Sequence, residues 1–298
     1  MTNEKEKQLY SRFNGFLLEK LSIILNNIPD FITEEFMNDI MLDTDVSPQA
    51  LYAAILARAT GLDIDNNPFH NDLYKKYFFE MVHMLDNGKY ENDPYYKTVK
   101  FPCIKGKKWS LSYAEYKPYQ AFVCNDLKQK SDGRAIPQIG FFQKPFRYPV
   151  VYENGREWMS ITPNEIETMV QGIERANGKV LTYGLGLGYY AFMVSEKQTV
   201  SSVTVVERDK EIIDLFKKHL LCQFPNGRKI NIVHCDAFEY AEKQMMHGKF
   251  DVVYTDLWHD PTDGISLYKK MKEYEHLSPD SLFMYWIEPT MKYYMKKQ

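Results

Sequence analysis

Three glycines at alternate positions, Gly184, Gly186 and Gly188, follow the short apolar run Val180, Leu181 and Tyr183. Glycine has no Cβ, so the chain there can turn tightly and lie close against a ligand. A glycine-rich turn from a strand into a helix also aims free backbone N–H groups at whatever sits on it. Three acids follow at intervals. Glu207 stands 23 residues after Gly184, where a carboxylate can accept two hydrogen bonds from a ribose diol. Asp236, in His234-Cys-Asp-Ala-Phe238, can accept from an exocyclic amine. Asp256 opens the run Asp256-Leu-Trp-His-Asp-Pro261, which also supplies His259 and Asp260. A neutral imidazole there can take a proton, and an acid–imidazole cluster suits an amine or a hydroxyl better than a phosphate. Asp256, His259 and Asp260 are therefore the candidates for substrate contact and catalysis.

Each residue also has a plainer explanation. Asp256 can be a helix N-cap, His259 an exposed loop histidine, and His234 the end of a strand. Trp258 can stack on a base or simply pack. Tyr189 and Tyr190 fit a core. The glycine loop with its acids could serve NAD. Three alternating glycines with an acid after the third strand favour S-adenosylmethionine instead.

The elements that must carry these residues alternate. Strands are predicted over 180–183, 202–207, 230–234, 250–255 and 281–287, and helices over 189–196, 210–222, 237–246 and 266–276. Such alternation predicts a parallel sheet covered on both faces, with ligands at the carboxyl ends of its strands. Thr162-Pro-Asn-Glu165 predicts a helix start with Thr162 as cap, Pro163 at N1 and Glu165 completing a capping box. The domain boundary falls between Ser160 and Gly178.

Earlier in the chain, apolar spacing predicts helices over 8–28, from Thr33, from Ser47-Pro48 to Gly61, and over 71–85. After Pro94 the pattern changes to short alternating strands near 108–116, 121–124, 139–142 and 148–152. Lys128 to Arg134 is a polar loop. Glu153-Asn-Gly-Arg156 is a hairpin turn with its return strand at 158–161. The domains expected are a helical region over 1–95, a β-rich segment over 96–161 and a Rossmann-like domain over 162–298.

A formal charge of −3 gives no electrostatic basis for nucleic acid or an anionic membrane as partner. No apolar run is long enough to span a membrane, and the polar start has no signal-peptide pattern. Cys103, Cys124, Cys222 and Cys235 form no C-x-x-C pair, which argues against zinc or disulfides and fits a cytoplasmic protein. No metal ligand set is expected.

The stretch from about Gly178 to Ile287 resembles a class I S-adenosylmethionine-dependent methyltransferase domain, on the residues just described. From about Val150 onward it is closest to the spermidine synthase-like branch, which carries a β-rich N-terminal segment, a hairpin and a helix starting with an acidic pair. Here Asn164 replaces the first acid of that pair. The resemblance implies an α/β, Rossmann-like sheet flanked by helices, behind a helical and β-rich N-terminal region. It implies the methionine part of S-adenosyl-L-methionine over Tyr183, Gly184, Leu185, Gly186 and Gly188. Glu207 and Arg208 would lie at the ribose, Asp236 and Ala237 at the adenine, and Asp256 and Leu257 beside them. The branch's Tyr-His-Glu amine-binding run is replaced by Thr168, Met169 and Val170, and its two aspartates three apart by Asp256 and Asp260, four apart. An acid two residues before the first glycine is replaced by Thr182. Methyl transfer to a small-molecule acceptor is thus expected ahead of aminopropyl transfer. The other alternative is a non-catalytic cofactor- or partner-binding module. A homodimer is compatible with this reading. Few residues follow Ile287, so either strands from 100–160 complete the sheet or its edge is open.

Overall fold

The computed structural model describes residues 3–296. Met1, Thr2, Lys297 and Gln298, the ends of the expected first and last domains, lie outside the described residues. The chain divides into two compact units, one of residues 1–88 and 115–147, the other of residues 89–114 and 148–298.

In the first unit the helices are α1 (Asn3–Asn27), α2 (Glu34–Met41), α3 (Pro48–Ala59) and α4 (Pro68–Met81). The caps act as the sequence suggests. Thr33 accepts from the Phe36 N–H and Ser47 from the Ala50 N–H, and Gly61 takes the left-handed conformation that ends α3. One expectation fails here. The apolar spacing of α4 runs on through Val82 and Leu85, but Val82–Leu85 is a strand, β1. It pairs in parallel with β5 (Ala135–Phe142), Val82 opposite Ile139 and Leu85 opposite Phe142. β5 is buried along its whole length and pairs on its other side with β4 (Phe122–Gln129). Backbone pairing with a buried central strand outweighs the helical period of four residues. The core joins Phe13, Leu17 and Leu21 of α1 to Tyr77 and Phe78 of α4 and Phe141 of β5. Inside it Asn14 accepts from the Tyr77 hydroxyl and the Ala135 N–H and donates to the Gly133 carbonyl, which leaves no cost of an unpaired buried amide.

The second unit contains α6 (Pro94–Thr98), which follows the short α5 (Asn87–Glu91), and a four-stranded sheet. That sheet runs in the order β2 (Ile104–Lys105), β3 (Trp109–Tyr116), β6 (Phe146–Glu153), β7 (Arg156–Ser160). Asn154 and Gly155 both take positive φ in the β6–β7 turn, the conformation a two-residue hairpin needs. Then comes α7 (Pro163–Arg175), followed by strict alternation. The elements are β8 (Gly178–Tyr183), α8 (Tyr189–Ser195), β9 (Val200–Glu207), α9 (Lys210–His219), β10 (Ile230–His234), α10 (Ala237–Lys243), α11 (Met245–Gly248), β11 (Val252–Thr255), α12 (Pro261–Lys272), β12 (Leu282–Tyr285) and α13 (Glu288–Met295). The sheet is five-stranded and parallel, in the order β10-β9-β8-β11-β12. This is the Rossmann-like sheet expected. The strands of the 100–160 region belong to other sheets, so β12 stands at its edge.

Register decides where the site lies. Tyr183 pairs with Val206 and with Thr255, and His234 pairs with Glu207. The carboxyl ends of four strands therefore finish level. Gly184, Glu207 and Asp256 leave the sheet side by side, tied by hydrogen bonds from the Gly184 N–H to Val206 and from the Asp256 N–H to Tyr183.

Candidate functional site at the carboxyl edge of the parallel sheet

The three glycines are structurally required. Gly184, Gly186 and Gly188 have φ of 96°, 51° and 76°, a region that disfavours any side chain. A Cβ would also collide, at Gly184 with the Asp256 carbonyl, at Gly186 with the Met159 thioether, and at Gly188 with the Phe216 ring. The loop therefore lies flush against the exit of β11, the β7 hairpin strand and α9. Within it the Leu185 N–H donates to Glu207 Oε2 at 3.3 Å and the Gly188 N–H to the Leu185 carbonyl at 2.8 Å. The amides of Gly186 and Leu187 have no protein partner among the described residues.

Glu207 is buried at 7% exposure. Its Oε1 accepts the Asp209 N–H at 2.8 Å, so the carboxylate is fixed between the glycine loop and the turn after β9. Arg208 enters through its backbone, its carbonyl lying 3.0 Å from His234 Nε2. Asp236 is exposed and caps α10, accepting from the Phe238 and Glu239 N–H groups, while Ala237 is buried beside it. Tyr183 points into the core, its hydroxyl 3.4 Å from the Met245 sulfur, so only its backbone faces the edge.

Asp256 is not a helix N-cap; that position belongs to Asp260, which forms a capping box with Asp263 at the start of α12. Burial pushes the Asp256 carboxyl up to about 7, against a weaker opposing pull from His259. His259 is exposed and its Nδ1 lies 2.9 Å from Asp263 Oδ2. Of the three expected catalytic residues, Asp256 faces the glycine loop, His259 acts on it electrostatically, and the Asp260 carboxylate is spent on the Thr262 N–H at 2.6 Å. Leu257 follows, half-buried.

The helix α7 brings a residue that the sequence reading assigned elsewhere. Thr162 makes no side-chain cap and the expected capping box with Glu165 is absent. The Glu165 carboxyl instead sits in a desolvated position in the fields of Asp256 and then Glu157, and burial with these two charges raises its pKa well above the carboxylate range. Glu157 accepts the Ser160 hydroxyl at 2.7 Å. Two further polar atoms flank Asp256. Thr255 Oγ1 and Trp258 Nε1 are buried without a hydrogen-bond partner among the described residues. Trp258 otherwise packs, edge-on to Tyr268 and parallel to Tyr285. Among the described residues no group of acids, histidines and cysteines could hold a metal ion, and no helix is long and apolar enough to cross a membrane.

The donor set suits a nucleoside-bearing sulfonium. A fixed carboxylate at the end of β9, a flush glycine loop with two unused amides, and an acid, Asp256, at the exit of β11 are the features such a ligand needs. A parallel five-stranded sheet with this loop is the nucleoside-binding class of fold. Residues 161–282 match the family model described as the spermine/spermidine synthase domain, in line with the resemblance to the spermidine synthase-like branch. No curated protein sequence matches the chain. Among solved structures, spermidine synthase from Thermotoga maritima is similar at 20% identity over 47% of this chain and 52% of its own, with a TM-score of 0.32. A precorrin 8W decarboxylase from Methanobacterium thermoautotrophicum is similar at 17% identity over 42% and 62%, with a TM-score of 0.31. A putative O-methyltransferase from Klebsiella pneumoniae is similar at 13% identity over 36% and 46%, with a TM-score of 0.28. The match thus spans about half the length of the spermidine synthase chain.

Proposed function

We propose that the chain is an S-adenosyl-L-methionine-dependent methyltransferase whose acceptor is a small amine. The observation that carries this reading is Asp256, whose backbone carbonyl and Cβ lie against Gly184 and whose carboxyl burial pushes up to about 7, with the Glu165 carboxyl raised in its field. Such a pair recognises an ammonium group and can take its proton. When bound, the sulfonium supplies an already electrophilic methyl carbon, so the protein has to orient the nucleophile and exclude water. Glu207 would hold the ribose, Asp236 and Ala237 the adenine edge, and the Gly186 and Leu187 amides the methionine part. Asp256, ionised above about pH 7, would accept the proton of the acceptor's ammonium and so free the nitrogen lone pair for the methyl group that the bound sulfonium would supply. Burial keeps the Asp256 carboxylate basic enough for that transfer.

A second reading is aminopropyl transfer from the decarboxylated cofactor. It is favoured by the family match and by an acidic patch that suits a ligand lacking a carboxylate. Against it stand the positions of the branch's amine-binding run. Thr168 is hydrogen-bonded to the Asn164 carbonyl and Trp286, Met169 is core, and Val170 is exposed. Calorimetry with S-adenosylmethionine, S-adenosylhomocysteine and decarboxylated S-adenosylmethionine tests both. Binding of the first two supports methyl transfer, preference for the third supports aminopropyl transfer, and binding of none refutes both in favour of a partner-binding module.

A further inference from the structure

The segment Asp93–Val99 precedes the stretch that matches the family model, yet its side chains reach the turns that shape the site. All the residues concerned belong to the second unit. Tyr95 is fully buried, and its hydroxyl donates to the Leu187 carbonyl inside the glycine loop at 2.7 Å. Its ring packs edge-on against Phe192 of α8 and against Phe224. Tyr96 donates to the Ile161 carbonyl at 2.5 Å, two residues ahead of α7. Asp93 caps α6 and accepts the hydroxyl of Tyr189, the first residue of α8, at 2.9 Å. One short segment thus ties the glycine loop, the start of α8 and the entry to α7.

The effect is clearest at a single peptide group. The peptide joining Leu187 to Gly188 is held at both ends, its carbonyl by Tyr95 and its N–H by the Leu185 carbonyl. The loop is tied at its ends, the Gly184 N–H to Val206 and the Gly188 carbonyl by the Phe192 N–H, but between them it follows no helix or strand. Fixing this peptide fixes the direction of the two amides just before it, Gly186 and Leu187, which are those without a protein partner among the described residues. A phenylalanine at 95 would keep the ring packing and leave a buried carbonyl without its donor.

We propose that Tyr95 is a positioning residue that holds the glycine loop in its ligand-ready form, with Asp93 and Tyr96 anchoring the same segment to α8 and α7. The choice of ligand rests on the function proposed above; the brace itself does not. The test is hydrogen–deuterium exchange on the full chain, wild type against Tyr95→Phe, without ligand. Exchange across residues 184–190 should quicken by about tenfold while the rest of the parallel sheet stays protected, as for the loss of one buried hydrogen bond. The affinity for S-adenosylhomocysteine should fall by about three- to tenfold. Tyr96→Phe, acting on Ile161, should quicken exchange at 161–165 and leave 184–190 unchanged. If exchange at 184–190 is unaltered by Tyr95→Phe, or loosens evenly over the whole unit, the brace is refuted. If the wild type binds no S-adenosylhomocysteine, the proposed cofactor is refuted and the exchange comparison still decides the brace.

Discussion

The half-buried acid Asp256 should make the protein's stability fall as pH rises, and Asp256→Asn should remove that dependence. Its carboxyl has a folded-state pKa of about 7 against an ordinary value of 3.8. The folded state therefore holds this proton more tightly than the unfolded chain does. The stabilisation is complete below pH 3.8, declines as pH rises, and is gone above about pH 7. At about 1.4 kcal/mol per pH unit the full interval corresponds to about 4 kcal/mol, of which about 3 kcal/mol lies between pH 5 and pH 8.5. Asparagine has nearly the same shape and cannot ionise. Urea unfolding of both proteins at pH 5, 7 and 8.5 should show the variant gaining on the wild type by about 1–3 kcal/mol across that range, the lower end allowing for relaxation around the charge. The gain should level off above pH 8. A difference between the two proteins that is the same at all three pH values would refute the desolvated acid at the end of β11, and with it the basis of the proposed proton transfer.

Four further outcomes are expected. Glu165→Gln removes a carboxyl whose pKa is raised well above the carboxylate range by burial and the field of Asp256, so the limb of the kcat/KM profile set by Asp256 near pH 7 should stay in place. His259→Ala removes the pull that lowers the Asp256 pKa, so the same profile should move to higher pH; with its Nδ1 engaged by Asp263, the rate on the plateau should change by less than about threefold. Glu207→Ala should weaken cofactor binding by about 10- to 100-fold, the loss of charge-assisted hydrogen bonds, while the circular dichroism spectrum is retained. Gly186→Ala should cost about 1–3 kcal/mol in urea unfolding, because it combines positive φ with a collision at Met159.

Much of the second unit was legible because its central parallel strands, buried on both faces, read as short apolar runs between amphipathic helices, and those of β8, β9 and β11 ended in a glycine or an acid. The strand ends fell close to their predicted positions, and the register then brought Gly184, Glu207 and Asp256 to one edge without further information. β1 was not legible. Four residues continuing the helical period of α4 became a strand only because β5, more than fifty residues later, offers a partner. Long-range pairing of this kind leaves no mark in local spacing.

Glu165 shows a different failure, and a more instructive one. An acid three residues after a threonine, with a proline between, satisfies every local criterion for a capping box. The local rule assumes that the first turn of the helix faces water. Here it faces the exit of β11, and the carboxyl lies in the field of Asp256 instead of reaching back to the backbone of Thr162. The signal that could have found it was present in the sequence: an acid at the start of the helix after the hairpin, together with an acid at the end of the fourth strand of the alternating half. A parallel sheet puts the first helix of such a domain beside its central strands, and Gly172 of α7 indeed packs directly on Tyr254 of β11. Once those two elements touch, acids at the start of one and the end of the other must come close. That closeness, with no lysine or arginine to offset it, is costly to the fold. A cost of this kind is expected where residues serve a ligand more than they serve stability.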